Sequence, residues 1–341
     1  MKIGYVWLSL EIINQEIKIV TKNKYTIQIS GSIAFDTLLN FEGKFSDQIQ
    51  IDQNSSINVA FLVPKMRKEF GGCAANIAYN LNALGDDCII LGNVGKDSDE
   101  YINRFDKLGI NTSQLIKCPN EFTAQAFITT DEDGNQITSF HPGAMISEQI
   151  SPLSSAKTNI GIVSPNSFHS MTQNSMDFFN RNIDFIFDPG QALPMFESSD
   201  LIRFMSQATW IAVNENEGNM LAKKTGIPIE KLARSLLPNE SGCVFQTLGE
   251  KGCMVFTKEN NSFIKPVKVS KSTDPTGCGD AFRAGILYGL ARGLSPEDSA
   301  RIGNVLGSIK VQTEGGQNHS INIHDVSKLL LANYPNSAIK L

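Results

Sequence analysis

Asp274-Pro-Thr-Gly-Cys-Gly-Asp-Ala-Phe-Arg-Ala-Gly285 places two glycines and a carboxylate directly before an apolar-periodic run from about Ala281 to Arg292. The periodicity predicts a helix. The residues before it predict backbone N–H groups of Gly277, Cys278 and Gly279 gathered at its positive end, an anion site that needs no lysine. Asp280 sits beside that hole. A carboxylate would repel a bound phosphate, so its presence there predicts a base that takes a proton from an attacking hydroxyl. The plainer reading is a helix start capped by glycine and aspartate, and this motif alone does not separate the two.

The same spacing excludes other nucleotide motifs. Gly277-x-Gly279 is followed three residues on by Phe282, so it is no dinucleotide fingerprint, and no G-x-x-x-x-G-K-[ST] run occurs. The chain around it alternates. Strand patterns near 25–31, 87–92, 124–130, 159–163, 184–188, 208–213, 243–247 and 252–257 are interleaved with helical ones. Those lie near 72–84, 98–108, 171–181, 198–206, 215–224, 228–236, 281–292 and 296–312. Such alternation predicts an α/β fold with a parallel sheet covered by helices. Two segments, about 37–69 and 121–141, break the rhythm with alternating strands and the turn Asp131-Glu-Asp-Gly134. They predict a small β-sheet inserted as a lid over the mouth of a single domain.

Composition narrows the chemistry. The 341 residues are 41% apolar, enough for a large core, and 30 basic against 35 acidic residues leave a net charge of −5 with no dense basic run. A nucleic-acid surface is not expected, and a small-molecule enzyme is. The six cysteines form no C-x-x-C pair and the four histidines no ligand spacing, so reduced cytoplasmic thiols are expected rather than zinc or a disulfide framework. Glu11, Glu16 and several lysines interrupt residues 1–24, which read as an extension of no assigned role and not as a signal peptide or membrane span.

Four further motifs fit a phosphate site. Phe70-Gly-Gly-Cys-Ala-Ala-Asn76 puts two glycines, Gly71 and Gly72, before a helix, with the Asn76 amide one turn in to offer donor and acceptor to a diol. Gly31-Ser-Ile-Ala-Phe-Asp36 ends the first strand with a carboxylate, at the sheet edge where open α/β folds bind ligands. Asn214-Glu-Asn-Glu217 follows a strand, and the spacing sets Asn214 and Glu217 on one helix face, suited to the water shell of Mg²⁺; an asparagine cap with an acidic first turn reads equally well. Thr247-Leu-Gly249-Glu-Lys-Gly252 is a turn whose hydroxyl and amides could line a nucleotide.

In combination and in this order, with Leu91-Gly-Asn-Val-Gly-Lys-Asp97 and Leu108-Gly-Ile-Asn111, these pieces resemble the ribokinase (PfkB) family of sugar and nucleoside kinases from about Tyr25 to Ser320. The finer resemblance is to its proteobacterial adenosine kinase branch, through Phe41-Glu-Gly-Lys-Phe45, Phe61-Leu-Val-Pro-Lys-Met66, Ile137-Thr-Ser-Phe-His141 and Phe187-Asp-Pro-Gly-Gln191. The resemblance implies a ribokinase-like three-layer α/β/α domain over 25–341 with a mainly parallel central sheet. It implies ATP-dependent phosphorylation of a nucleoside 5′-hydroxyl, adenosine first, with a free sugar or inosine or guanosine as alternatives and a non-catalytic nucleoside-binding regulator as a remote one. Asp280 would be the base, Asp36 and Asn76 would hold the ribose diol, and ATP would lie along Thr247, Gly249, Gly252 and Asn304 with Mg²⁺ near Asn214 and Glu217. It leaves room for a monovalent cation beside the loop where Pro275 and Cys278 replace the commoner Thr and Ala, and for a monomer or a homodimer. The two excursions with their flanks, 35–70 and 121–141, hold eight of the 20 phenylalanines, Phe61 and Phe140 among them, which predicts stacking on a purine.

Overall fold

The computed structural model describes residues 25–49, 59–337, 339 and 341; the extension over 1–24 and part of the first excursion, 50–58, lie outside the described residues. Among the described residues, nine strands form the larger sheet: β1 (Thr26–Ser30), β4 (Asp87–Gly95), β5 (Leu115–Cys118), β8 (Ile160–Val163), β9 (Phe185–Phe187), β10 (Trp210–Asn214), β11 (Cys243–Thr247), β12 (Cys253–Thr257) and β13 (Asn261–Ile264). Their order is β13-β12-β11-β10-β9-β8-β1-β4-β5. All neighbours from β5 to β11 pair parallel, and β12 and β13 close the far edge antiparallel. Strands such as Ile160–Val163 and Phe185–Phe187 are buried along their whole length, as a sheet covered on both faces requires.

The covering helices are α2 (Cys73–Ala83), α3 (Asp99–Leu108), α4 (Phe168–Asn180), α5 (Ser198–Gln207), α6 (Glu215–Thr225), α7 (Ile229–Leu236), α8 (Cys278–Ala291), α9 (Pro296–Lys310) and α10 (Ile323–Asn333); a single turn, α1 (Phe45–Gln48), lies apart from them in sequence, after β2. Two cores divide them. Tyr101, Phe105, Ile286, Ile302 and Val326 pack one face of the sheet, and Phe178, Leu201, Phe204, Leu221 and Leu232 the other. Side-chain burial of this size contributes roughly 1.5–3 kcal/mol per large apolar residue. Helices α8 and α9 approach closely because glycines meet: a Cβ on Gly285 would stand 2.5 Å from Gly303 Cα. That contact brings the end of α9 behind the start of α8.

Among the described residues, the second sheet has four strands in the order β3-β2-β6-β7, with β2 (Ala34–Asn40), β3 (Lys65–Gly71), β6 (Ala124–Thr130) and β7 (Gln136–His141). It is formed by the two excursions. Asp36 therefore lies within β2, opposite Glu69 of β3, and not at the end of the first central strand as the sequence suggested. The chain leaves β1 at Ser30 and turns through Gly31-Ser32-Ile33 into the smaller sheet. The mainly parallel sheet covered by helices, with a small separate sheet, is as expected. Four elements were not: α1 is a helical turn inside the first excursion, β5 and β13 are only four residues long, and α10 follows the last motif. Among the described residues no helix is long and apolar enough to cross a membrane.

Candidate active site

Strand β1 lies between β8 and β4, so loops leaving the carboxyl ends diverge there and open a crevice. Ser32 after β1, Asn166 after β8, Asp188 and Gly190 after β9, Asn214 at the end of β10 and Thr247 at the end of β11 all line one cavity of about 1230 Å³. Asp36, Gly72, Asn76, Phe140, Glu217, Gly249, Gly252, Gly277, Cys278, Gly279, Asp280 and Asn304 line it as well. Of the predicted site residues, Gly71 and Phe61 are the two that do not.

At the floor, Gly277 caps α8 with φ 78°, a conformation that favours glycine. Cys278 N–H donates to the Pro275 carbonyl at 3.1 Å, so it is not one of the free amides that the sequence suggested. Among the described residues no backbone carbonyl accepts from Gly277, Gly279 or Asp280, and those three amides form the open helix start. Asp280 accepts from Asn76 Nδ2 at 2.8 Å. Burial pushes its carboxyl up to about 6, and the Asn76 amide, the Arg283 guanidinium and the Cys73 thiol pull against that rise while the Asp188 charge adds to it. A carboxyl near 6 is ionised at neutral pH yet basic enough to accept a proton.

The paired glycines make room for protein atoms. A Cβ on Gly71 would stand 2.3 Å from Asp36 Oδ2, and one on Gly72, at φ 90°, 2.6 Å from Ala34 N. So the Gly71-Gly72 turn fits around Asp36, whose carboxyl is raised to about 6 by burial first and then by Glu69 and Asp274. Asn76, expected at a diol, is held by the protein: its Nδ2 donates to Asp280, and its Oδ1 accepts from Gln317 Nε2 at 3.0 Å. Phe61 packs on Phe41 and Phe45, with ring centroids 5.0 Å away in each case, because three neighbouring phenylalanines of the excursion bury one another. Phe140 is half exposed at the cavity rim beside Met145, Ile146 and Met195.

Asn214 and Glu217 form a reciprocal helix cap: Asn214 Oδ1 accepts the Glu217 N–H at 2.8 Å, and Glu217 Oε2 the Asn214 N–H at 2.7 Å. The asparagine side chain thus serves as a cap. One Glu217 oxygen keeps no hydrogen bond, and no cluster of three or more metal-ligating side chains exists among the described residues. This donor set fits a magnesium ion carried mainly by phosphates and water, with Glu217 as the protein's contribution. A monovalent cation beside the Asp274 loop does not fit, because the Asp274 and Thr313 carbonyls accept from the Lys310 ammonium.

Two site residues escaped the sequence reading. Arg283, one turn after Asp280, forms a buried bidentate pair with Asp188, Nε to Oδ2 and Nη2 to Oδ1 both at 3.0 Å, and stands 3.7 Å from Glu217. The signal was present: a single arginine inside Ala281-Phe-Arg-Ala-Gly-Ile-Leu287, a run buried throughout, demands a buried carboxylate.

Known proteins place this arrangement. The chain is similar to a nucleoside kinase of Burkholderia thailandensis solved in complex with inosine: 37% identical, 91% of this chain and 98% of that chain covered, TM-score 0.79. It is also similar to the nucleoside kinase of Methanocaldococcus jannaschii, an archaeal member of the ribokinase family, at 28% identity, 90% and 98% coverage and TM-score 0.81. A probable chloroplastic fructokinase of Arabidopsis thaliana is 27% identical over 74% of this chain and 72% of its own length. Residues 43–323 match the model of the pfkB family carbohydrate kinases, and the chain belongs to that family.

Proposed function

We propose that the protein transfers the γ-phosphoryl group of ATP to the 5′-hydroxyl of a nucleoside, adenosine before others. One observation carries this reading: a carboxylate raised to about 6 shares a single cavity of about 1230 Å³ with the open amides of a helix start. Single small-molecule sites usually measure about 300–1,000 Å³, so the space suits two substrates together.

In this reading Asp280 accepts the hydroxyl proton as the O5′–P bond forms, and the bond to the β,γ-bridging oxygen breaks with its electron pair leaving on ADP. The Gly277, Gly279 and Asp280 amides meet the charge on the transferred group. Magnesium, when bound, neutralises phosphate charge. Glu217 would orient its water shell, and Arg283 offsets the repulsion between Glu217 and Asp188. The Asp36 carboxylate, to which no hydrogen bond is made among the described residues, is the candidate for the ribose diol. The smaller sheet, carrying Phe140, acts as a lid that keeps water from the γ-phosphate.

A base in the acceptor is supported by the apolar rim of Phe140, Met145, Ile146 and Met195, which a purine face can cover and a free sugar cannot. Inosine is the second reading, favoured by the inosine complex of the Burkholderia relative. ATP consumption with product identification over adenosine, inosine, guanosine, ribose and fructose tests it. Adenosine should exceed ribose in kcat/KM by about tenfold or more, as stacking of one base allows. Ribose or fructose as the better acceptor overturns the nucleoside assignment.

A further inference from the structure

Lys310, the last residue of α9, is fully buried at 0% exposure and has no part in the phosphoryl transfer described above. An ammonium withdrawn from water normally needs a carboxylate partner. Here Nζ donates to two backbone carbonyls, Asp274 at 2.8 Å and Thr313 at 3.0 Å, while burial pulls its pKa down and the nearby Asp274 carboxylate, with which it makes no direct ion pair, partly offsets that fall. Carbonyl oxygens converging on a charge are the ligand chemistry of a bare cation, and the lysine supplies that cation from within the chain.

Its two ligands lie on the two loops that frame the anion site. Asp274 begins the turn that ends at Gly277; its carboxylate accepts the Thr276 and Gly315 N–H groups, both at 2.8 Å, and the amides of Thr273 and Asp274 donate to the Val311 carbonyl at 2.8 and 3.1 Å. The second loop continues from Thr313 to Gly316, where a Cβ on Gly277 would stand 3.1 Å from the Gly316 Cα, and to Gln317, which holds Asn76. The lysine's charge also reaches the site itself. It pulls the Cys278 thiol down against the larger upward push of burial.

We propose that Lys310 is a built-in cation that positions the Asp274–Gly277 turn, keeps the open Gly277 amide aimed at the transferred phosphate, and frees the reaction from any added monovalent ion. The inference rests on the kinase reading. A methionine of similar length would fill the same space without burying a charge, so the retained ammonium points to a role beyond packing.

The test measures initial rates of the full-length enzyme with nucleoside and MgATP in tetramethylammonium buffer, adding potassium, sodium or ammonium chloride. The wild type should respond to none of them. Lys310→Ala should lose about 10²-fold in kcat with nucleoside KM nearly unchanged, the size of effect seen when a charge-stabilising group is misplaced. Ammonium or methylammonium should restore its rate in proportion to concentration, and Lys310→Met, with the space filled, should not respond. Activation of the wild type by potassium, an undiminished Lys310→Ala rate, or a loss that no cation restores in a folded Lys310→Ala overturns the proposal. If Lys310→Ala does not fold, the wild-type titration and Lys310→Met decide. A wild type that phosphorylates no acceptor overturns the kinase reading instead, before any variant is made.

Discussion

Asn76 Nδ2 donates to Asp280 Oδ2 at 2.8 Å, joining the first turns of α2 and α8 across 204 residues of chain. Behind Asn76 stands Gln317, which donates to the Tyr101 hydroxyl at 2.8 Å and accepts from Arg104 Nε at 3.2 Å. The carboxylate is therefore oriented by a chain of hydrogen-bonded side chains.

A pH profile follows from this contact. If Asp280 is the base, kcat/KM should fall as pH drops through about 6, where its carboxyl takes up a proton. The Asn76 hydrogen bond favours the charged form, so Asn76→Ala should move this acid limb to higher pH and slow the reaction at neutrality. Rates measured from pH 5 to 9 check both; an acid limb that stays put in Asn76→Ala would separate the amide from the base.

Asp280→Asn should lower kcat by about 10²–10⁴-fold, the range for a lost general base. Its effect on stability has a definite sign. The folded carboxyl, near 6, lies above the usual 3.8, so the wild type is penalised once pH rises past 3.8, fully so above 6. The amide variant escapes this penalty. Its melting temperature should match or exceed the wild type's at pH 8, with the difference shrinking toward pH 4.

Arg283→Met leaves Asp188 buried without its bidentate partner, and unfolding in denaturant should show a loss of about 3–5 kcal/mol. Adding Asp188→Asn to the same chain removes the orphaned charge and should recover much of it. Equal stability of the single variant and wild type would show that water relieves the charge.

Asp36→Asn should reduce kcat/KM for adenosine far more than for a 2′,3′-dideoxy analogue, which lacks the diol. Equal losses on the two acceptors would move Asp36 out of the sugar contact.

The two phenylalanines singled out in the excursions should behave differently. Phe140→Ala, at the cavity rim, should raise nucleoside KM by roughly tenfold while leaving melting unchanged. Phe61→Ala loses ring contacts to Phe41 and Phe45 worth about 0.5–1.5 kcal/mol each, so its effect should appear in thermal melting.

Local signals account for what could be read early. The helix after Gly277, the cap at Asn214, the alternation of strands and helices and the two β excursions each depend on residues within a few positions of one another, where periodicity, positive-φ glycines and capping chemistry act. The short edge strands β5 and β13 carry too few residues for a period to show, and α10 lies beyond the last motif.

The sequence by itself determined the family's motif order, the α/β class and the identity of the carboxylate at the helix start, because these are written in neighbouring residues. Only the tertiary structure decided which groups are left over for chemistry. Whether an amide is open or taken, as at Gly277 and Cys278, depends on how the folded turn is set: the Pro275 carbonyl takes the Cys278 amide, and no backbone carbonyl among the described residues takes that of Gly277. Asn76 turned to Asp280 and Gln317, Phe61 to its phenylalanine neighbours, and Lys310 to the Asp274 and Thr313 carbonyls for one physical reason: polar and aromatic groups drawn out of water must be satisfied by whatever the fold brings within reach.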